Sequence, residues 1–162
     1  STVAMPFTEN ETLFWFTGFM IADNGSSFCE LLAVDPNGKG DITSSNILWR
    51  KNAERLQLLS PVIRNGLIYT VDAKNNIMCI DARTGEEMWS EHLNANYNAS
   101  SIYVDGNVWF FSVKGEILVI KADRKYEVVY KNRLDSGIWA TPAFLRNSVI
   151  IRTEKHLYRI SR

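Results

Sequence analysis

The residues that could carry out chemistry are few and far apart in this sequence. His92 and His156 are 64 positions apart with no cysteine nearby, whereas a metal site needs three or four convergent ligands. Cys29 and Cys79 are 50 residues apart and form no CxxC pair. No spacing of Ser, His and Asp is typical of a catalytic triad, and a G-x-S-x-G motif is missing. We therefore expect no catalytic, metal-binding or cofactor-binding residues.

One loop has a faint likeness to a calcium site. Residues 35–41, Asp-Pro-Asn-Gly-Lys-Gly-Asp, place oxygen ligands at alternating positions around a glycine. However, a lysine stands where a ligand is needed, and Asn46 stands where a glutamate would close the loop. We interpret the segment as a polar turn between two strands.

Composition and charge are those of a globular protein. Of the 162 residues, 46% are hydrophobic and 12% are aromatic, which is enough to build a core. Eighteen Lys+Arg balance eighteen Asp+Glu, so no net charge favours nucleic acid or an anionic membrane. The longest apolar run, 12–22, is about half as long as a membrane helix needs to be. We expect no nucleic-acid partner and no transmembrane segment in this chain.

The elements that position every side chain are repeats of about 40 residues. Residues 60–69 align with 100–109 at a shift of 40 and with 141–150 after a further 41. Residues 77–80, 117–120 and 157–160 repeat at a shift of 40. Trp49, Trp89 and Tyr130, spaced by 40 and 41, mark the ends of successive units. A single period shared by several segments predicts a repeat architecture.

The repeat divides the chain into about four units, 1–52, 53–94, 95–135 and 136–162, which form one domain. The first unit is irregular, because Asp35 and Trp49 are 14 residues apart whereas Asp81 and Trp89 are 8 apart. We interpret the difference as a loop insertion at 36–40, with a second expansion near 23–27. The last unit stops before its Trp-type segment.

Within each unit the pattern predicts short antiparallel strands. Apolar segments rich in β-branched and aromatic residues are bounded by turn residues such as Asn65-Gly66 and Asp105-Gly106. No stretch of 12 residues keeps a helical apolar stripe free of breakers. Four short strands every 40 residues correspond to one blade of a β-propeller. The fold class is therefore all-β, a partial propeller of about four four-stranded blades with the last blade incomplete.

One segment makes the family recognisable. Residues 80–89, Ile-Asp-Ala-Arg-Thr-Gly-Glu-Glu-Met-Trp, resemble the repeat of pyrroloquinoline-quinone-type (PQQ-like) β-propellers, in which an Asp-Ala-x-Thr-Gly turn leads into a strand that ends in Trp. The resemblance implies that each Trp docks on the backbone of a neighbouring blade's turn. Carried over to this chain, the structural blade-motif residues are Asp35, Trp49, Asp81, Thr84, Gly85, Trp89 and Tyr130. Unit three departs from the pattern, with Lys121 for the Asp and Tyr130 for the Trp.

The resemblance also implies a function. Non-enzymatic members include a scaffold that helps to assemble bacterial outer-membrane proteins, so a protein-interaction or ligand-sensing module in the cell envelope is the leading hypothesis, with no catalytic activity and no cofactor. A periplasmic or extracytoplasmic location rests on the resemblance alone, and the protein partner or small ligand stays open.

Two other functions stay open. The first is that the chain is part of a quinone-dependent dehydrogenase. Members of that type have adjacent cysteines and a calcium bound by Glu, Asn and Asp, and neither feature is recognisable in this sequence. The other is a carbohydrate-binding propeller, in which exposed rings would stack on sugar. The candidate rings, which could equally fill the layers between blades, are Phe14, Trp15, Phe16, Trp109, Phe110, Phe111 and Trp139.

The number of units predicts that the ring is open. Family members close with seven or eight blades, and an open half-ring would leave sheet faces and a strand edge uncovered. We therefore expect either a portion of a longer protein, paired with N-terminal blades, or a half-ring that associates with a second copy. The last strand of unit four would then come from elsewhere.

Overall fold

The computed structural model describes residues 6–19, 28–52, 59–72 and 74–161. Within these ranges the chain forms strands and turns and no helix, so none of the described residues belongs to a helix able to cross a membrane. The strands are β1 Phe7–Glu9, β2 Thr12–Phe19, β3 Phe28–Val34, β4 Ile47–Asn52, β5 Val62–Arg64, β6 Leu67–Val71, β7 Asn76–Asp81, β8 Glu87–His92, β9 Ile102–Val104, β10 Asn107–Phe111, β11 Glu116–Lys121, β12 Val128–Arg133, β13 Ala143–Leu145, β14 Ser148–Arg152 and β15 Leu157–Ser161.

The strands form four antiparallel sheets in chain order. Blade 1 contains β1–β4, blade 2 contains β5–β8, blade 3 contains β9–β12, and blade 4 contains only β13–β15. The first strands of the first three blades are neighbours, since β5 contacts both β1 and β9. Blades 1, 2 and 3 therefore begin side by side with their first strands and run outward from them. The prediction of an all-β partial propeller with an incomplete last blade is confirmed.

The unit boundaries stay a prediction, because the boundary at 52/53 adjoins residues outside the described ranges. The expansion predicted near 23–27 also lies outside them.

Turn chemistry sets the register between the first two strands of a blade. Asn65-Gly66 and Asp105-Gly106 each have two successive residues with positive φ, at 53° and 73° and at 47° and 80°. Two such residues define a type I′ turn, whose twist matches that of the hairpin. In blade 4, Arg146-Asn147 takes this place without positive φ.

The core lies between the blades. Strand residues alternate between the two faces of a sheet, so each middle blade buries apolar side chains on both sides. Phe14 and Phe16 of blade 1 pack with Ile68 and Ile80 of blade 2. Between blades 2 and 3 the buried side chains include Tyr69, Val71, Cys79, Val108, Phe110 and Ile120, and between blades 3 and 4 they include Phe111, Ile117, Val119, Val149 and Ile151.

A bulge recurs where the third strand meets the fourth. The pairing shifts by one residue between Ala33 and Val34 in blade 1 and between Cys79 and Ile80 in blade 2, and blade 3 shifts at the matching place. Leu48 and Met88 are the extra residues on the outer strands. Because a bulge bends and twists its strand, it changes the direction in which the neighbouring Trp points.

Candidate functional site

A row of side chains crosses one face of every blade, and in blades 1, 2 and 3 it is directed toward the next blade. Cross-strand pairing aligns one residue from each strand in the row. The rows are Phe7–Phe14–Ala33–Trp49 in blade 1, Val62–Tyr69–Cys79–Trp89 in blade 2, Ile102–Trp109–Val119–Tyr130 in blade 3 and Ala143–Ile150–Arg159 in blade 4. The first three rows end in the aromatic residue that the repeat places on the outer strand.

Trp49 of blade 1 docks on a turn of blade 2. Its Nε1–H donates a hydrogen bond of 2.9 Å to the carbonyl oxygen of Ala82. Its ring covers Gly85, where an added Cβ would lie 2.8 Å from two ring atoms. Gly85 also has φ +76°, a conformation that glycine adopts without the Cβ penalty. Only glycine therefore fits both the positive φ of this turn and the close approach of the Trp49 ring.

Asp81 holds this turn in shape. Its Oδ1 accepts hydrogen bonds from the backbone N–H groups of Arg83 at 2.9 Å and Thr84 at 3.2 Å. The Gly85 N–H donates to the Asp81 carbonyl at 2.8 Å, and Thr84 Oγ1 accepts from the N–H of Glu86 at 3.2 Å. The Asp-x-x-Thr-Gly pattern is thus the chemistry of a compact turn that presents its backbone to Trp49.

Asp35 has a related local role in blade 1. Its Oδ1 accepts hydrogen bonds of 2.9 Å from the backbone N–H and from the side-chain amide of Asn37. Its own N–H donates to the carbonyl of Asn46 at 2.8 Å. The loop that resembled a calcium site is held by its own polar groups.

Trp89 of blade 2 docks on blade 3 in a related way. Its Nε1–H donates to the carbonyl of Asp123 at 3.4 Å, and the hydroxyl of Tyr69 donates to the same oxygen at 3.4 Å. The Trp89 ring also packs against Tyr126, with centroids 5.1 Å apart. Burial raises the pKa of Tyr69 far above its usual range and raises the pKa of Cys79 to about 11. Both groups therefore stay uncharged and act as packing residues.

One ion pair also crosses the boundary between blades 2 and 3. Arg124 Nη2 lies 2.8 Å from Asp81 Oδ2, and the Asp81 side chain is only 11% exposed. Burial acts to raise the pKa of Asp81, but the Arg124 pair and the two turn N–H groups outweigh it and hold that pKa below its usual value. Asp81 therefore connects three blades, because the turn that it shapes receives Trp49 from blade 1.

The third aromatic residue, Tyr130, is not docked. Its side chain is 67% exposed, and no ring contact or hydrogen bond joins it to a described residue. In the same row, the Trp109 Nε1–H is buried and has no acceptor among the described residues. The sequence groups Tyr130 with Trp49 and Trp89, whereas the structure places only the two tryptophans on turns.

The histidines lie on different blades. His92 Nδ1 is 3.0 Å from Asn76 Oδ1, and His156 Nδ1 is 2.7 Å from Asp135 Oδ2. Both cysteines are buried free thiols. Across the described ranges, no three His, Cys, Asp or Glu side chains are grouped so as to hold a metal ion.

The candidate aromatic residues divide between core and surface. Phe14, Phe16, Phe110 and Phe111 are buried, whereas Trp15 and Trp139 are 40% and 53% exposed and lie on different parts of the fold, in β2 and before β13. The structure therefore does not bring these two exposed indoles together. Sequence reasoning missed the carbonyl of Asp123 and the side chain of Arg124, because neither residue type carries a repeat signal in unit three.

Repeated four-stranded blades joined by Trp-on-turn docking define a β-propeller of the PQQ-like class. The family described as "Outer membrane protein assembly factor BamB" matches residues 30–126, more than half of the chain. The chain belongs to that family.

Two individual proteins similar to this chain show how much of the relatives' length it covers. The outer membrane protein assembly factor BamB of Burkholderia pseudomallei (strain K96243) is 28% identical over 95 residues, which is 58% of this chain and 24% of that protein. The crystal structure of BamB from Moraxella catarrhalis superposes with a TM-score of 0.68 at 8% identity, covering 93% of this chain and 40% of that one. The chain therefore spans well under half the length of these relatives.

The propeller fold is also shared with an enzyme. A europium-containing methanol dehydrogenase superposes with a TM-score of 0.58 at 14% identity, covering 79% of this chain and 24% of that one. At this identity the likeness is one of fold only.

The glycine under Trp49 gives a first prediction. We expect Gly85→Ala to lower the free energy of unfolding by about 2–4 kcal/mol, because it combines a disfavoured positive φ with overlap against the indole. Gly66→Ala is the matched control, since Gly66 has φ +73° and nothing within 4 Å of its added Cβ. It should cost only about 1–2 kcal/mol. Urea unfolding measures both, and equal losses would contradict the docking account.

The ion pair at Asp81 predicts a pH dependence. Because the folded-state pKa is lowered, its stabilisation is present above the unfolded-state value of about 3.9 and is lost as pH falls through the folded value. Asp81→Asn should therefore be less stable than wild type near neutral pH, and the difference should shrink as the pH approaches 3. Asp105→Asn, in an exposed turn, is the control. A difference that stays constant with pH would show that the Asp81 charge contributes nothing.

Proposed function

We propose that this chain is a non-catalytic protein-binding scaffold that acts in the assembly of outer membrane proteins, outside the cytoplasm. The observation that carries the proposal is the family match over residues 30–126. The name of that family states the role, and both the Burkholderia and Moraxella proteins have the same name. The chain spans only part of those relatives. The proposed role is therefore that of a whole protein that contains this region.

The outer strands offer exposed apolar side chains suited to such binding. Leu48, Met88 and Val128 lie on the outermost strands of blades 1, 2 and 3 and are 57%, 37% and 46% exposed. The docked tryptophans fix the outer strands of blades 1 and 2 in place, so Leu48 and Met88 are held on rigid strands. Rigid apolar side chains bind a partner with little loss of conformational entropy. We name Leu48, Met88 and Val128 the outer-strand patch.

The site geometry supports a structural role for the motif residues. Asp81, Gly85, Trp49 and Trp89 are engaged in joining blades. The burial that keeps Cys79 protonated also suits a packing residue and not a nucleophile. In the proposed function these residues therefore hold the blades together and take no part in catalysis.

Site-specific photo-crosslinking of the complete protein in living cells tests the binding role. With a photoreactive amino acid at Leu48, Met88 or Val128 of the complete protein, we expect crosslinks to components of outer-membrane protein assembly, identified by mass spectrometry. Ser90 and Lys131 are the control positions, exposed but polar residues on the same outer strands. Crosslinks to no envelope protein, or the same products from patch and control positions, would overturn the proposal.

An activity assay tests the non-catalytic part. The purified protein, incubated with the quinone and Ca²⁺, should show neither bound-cofactor absorbance nor reduction of a redox dye with alcohols. A quinone dehydrogenase of related fold, run alongside, verifies the assay. Dye reduction that depends on added quinone would replace the scaffold with an oxidoreductase.

A further inference from the structure

An exposed indole lies on the segment that joins blade 3 to blade 4, between β12 and β13. Trp139 is 53% exposed, and its Nε1–H donates a hydrogen bond of 2.9 Å to Glu154 Oε1 in the turn between β14 and β15. The same edge of the ring lies over Gly137, where an added Cβ would be 3.0 Å from Trp139 Nε1. The indole is therefore held in one orientation while much of its surface stays in solvent.

The preceding joining segment, between β8 and β9, has the same backbone construction. Tyr97 forms an isolated antiparallel bridge with Ser112, and 41 residues later Ile138 forms the same bridge with Thr153. All four of these residues are buried. The two joining segments therefore seat on the following blade in the same way, and each lies at an internal boundary of the described fold.

The exposed side chains beside the two bridges differ. The position of Trp139 is taken by the exposed Asn98 in the preceding segment, and the position of Glu154 is taken by Val113. The bridge therefore forms without an indole and without a carboxylate. The Trp139–Glu154 pair is an addition to the surface that the repeat itself does not require.

Unused polar groups lie on the same turn. Glu154 Oε2 and the Lys155 ammonium have no hydrogen bond or ion pair with a described residue. His156 Nδ1–H donates to Asp135 Oδ2 at 2.7 Å, and the Tyr158 hydroxyl donates to Asp135 Oδ1 at 3.0 Å. Because an ionised carboxylate only accepts hydrogen bonds, His156 carries a proton on Nδ1, and its Nε2 is left without a described partner.

This set of groups favours a neutral polar ligand. The carboxylates of Asp135 and Glu154 are offset by Lys155 and by the imidazole of His156, so no strong field selects a charged ligand. The core of a protein–protein interface is depleted of charged residues, whereas the neighbours of Trp139 are charged. An aromatic face bordered by hydrogen-bonding groups matches a sugar ring, which has C–H groups on its faces and hydroxyls around its rim.

We propose that Trp139, Glu154, Lys155 and His156 form a binding site for a neutral sugar with equatorial ring hydroxyls, which stacks on the indole and hydrogen-bonds to the three polar side chains. Equatorial hydroxyls leave the C–H faces of the sugar flat, as the indole requires. The inference goes beyond the proposed function, because it concerns another surface than the outer-strand patch and another class of ligand.

A nuclear magnetic resonance titration tests the inference. The ¹⁵N-labelled full chain is titrated with cellotetraose and with tetra-N-acetylchitotetraose, and the Trp139 indole N–H signal is identified by its loss in Trp139→Phe. We expect a saturable shift of this signal with at least one of the two sugars. Sorbitol, a linear polyol with similar hydroxyls but no ring face, is the matched ligand control and should cause no shift.

Variants that introduce the residues of the preceding segment provide the second measurement, followed by backbone amide shifts. Trp139→Asn should weaken sugar binding about 5- to 10-fold, as the loss of an aromatic contact does, and Glu154→Val should also weaken it. Trp139→Phe, which keeps an aromatic face, should bind more tightly than Trp139→Asn. Trp15→Thr, which removes an indole that is 40% exposed in β2, is the matched control and should leave binding unchanged. Circular dichroism and urea midpoints verify that each variant is folded.

Several results would overturn the inference. One is the absence of a shift with both sugars, another is an equal shift with sorbitol, and a third is binding that Trp139→Asn leaves unchanged. Crosslinks to an envelope protein from a photoreactive amino acid at Lys155, without sugar binding, would make the indole a protein contact instead. Crosslinks from the outer-strand patch are measured separately, so they would preserve the proposed function while this inference fails.

Discussion

An indole resting on the turn of the next blade is the contact on which the rest of the structure depends. A four-stranded sheet that is apolar on both faces must bury each face against a neighbouring element. Trp49 and Trp89 each bury a large flat ring against a neighbouring backbone and donate a hydrogen bond to it. Gly85 provides space for the first ring. The two contacts fix the spacing between sheets, and the buried clusters between blades follow from it.

The same contact explains why blade 4 differs from the others. The turn that follows β7 covers the Trp49 ring of blade 1, and the turn that follows β11 accepts hydrogen bonds from Trp89 and Tyr69 of blade 2. Beyond β15 no described residue provides such a turn, so Tyr130 is exposed and the Trp109 N–H lacks an acceptor. Blade 4 also has arginines at two strand positions that are apolar in blades 2 and 3. The structure therefore has well-packed internal boundaries and one chemically distinct end.

Much of this fold could be predicted from the sequence because a repeat states the same information several times. The strand Leu67–Val71, the incomplete last blade and the absence of helix in the described residues follow from the 40-residue period and its turns. The site was predicted less completely. Tyr130 matches Trp49 in position, but its exposure depends on a turn outside its own unit. The carbonyl of Asp123 carries no side-chain signal, so only the three-dimensional structure reveals it.

The most direct measurement compares the free energies of unfolding of three variants at the same row position, Trp49→Ala, Trp89→Ala and Tyr130→Ala. If ring-on-turn docking joins the blades, the two tryptophan variants should each lose about 2–3 kcal/mol, less than fully buried aromatic residues lose on truncation because both rings are partly buried. Tyr130→Ala should lose less than about 1 kcal/mol, because its ring covers no turn. Equal losses for all three, or small losses for both tryptophans, would contradict the account.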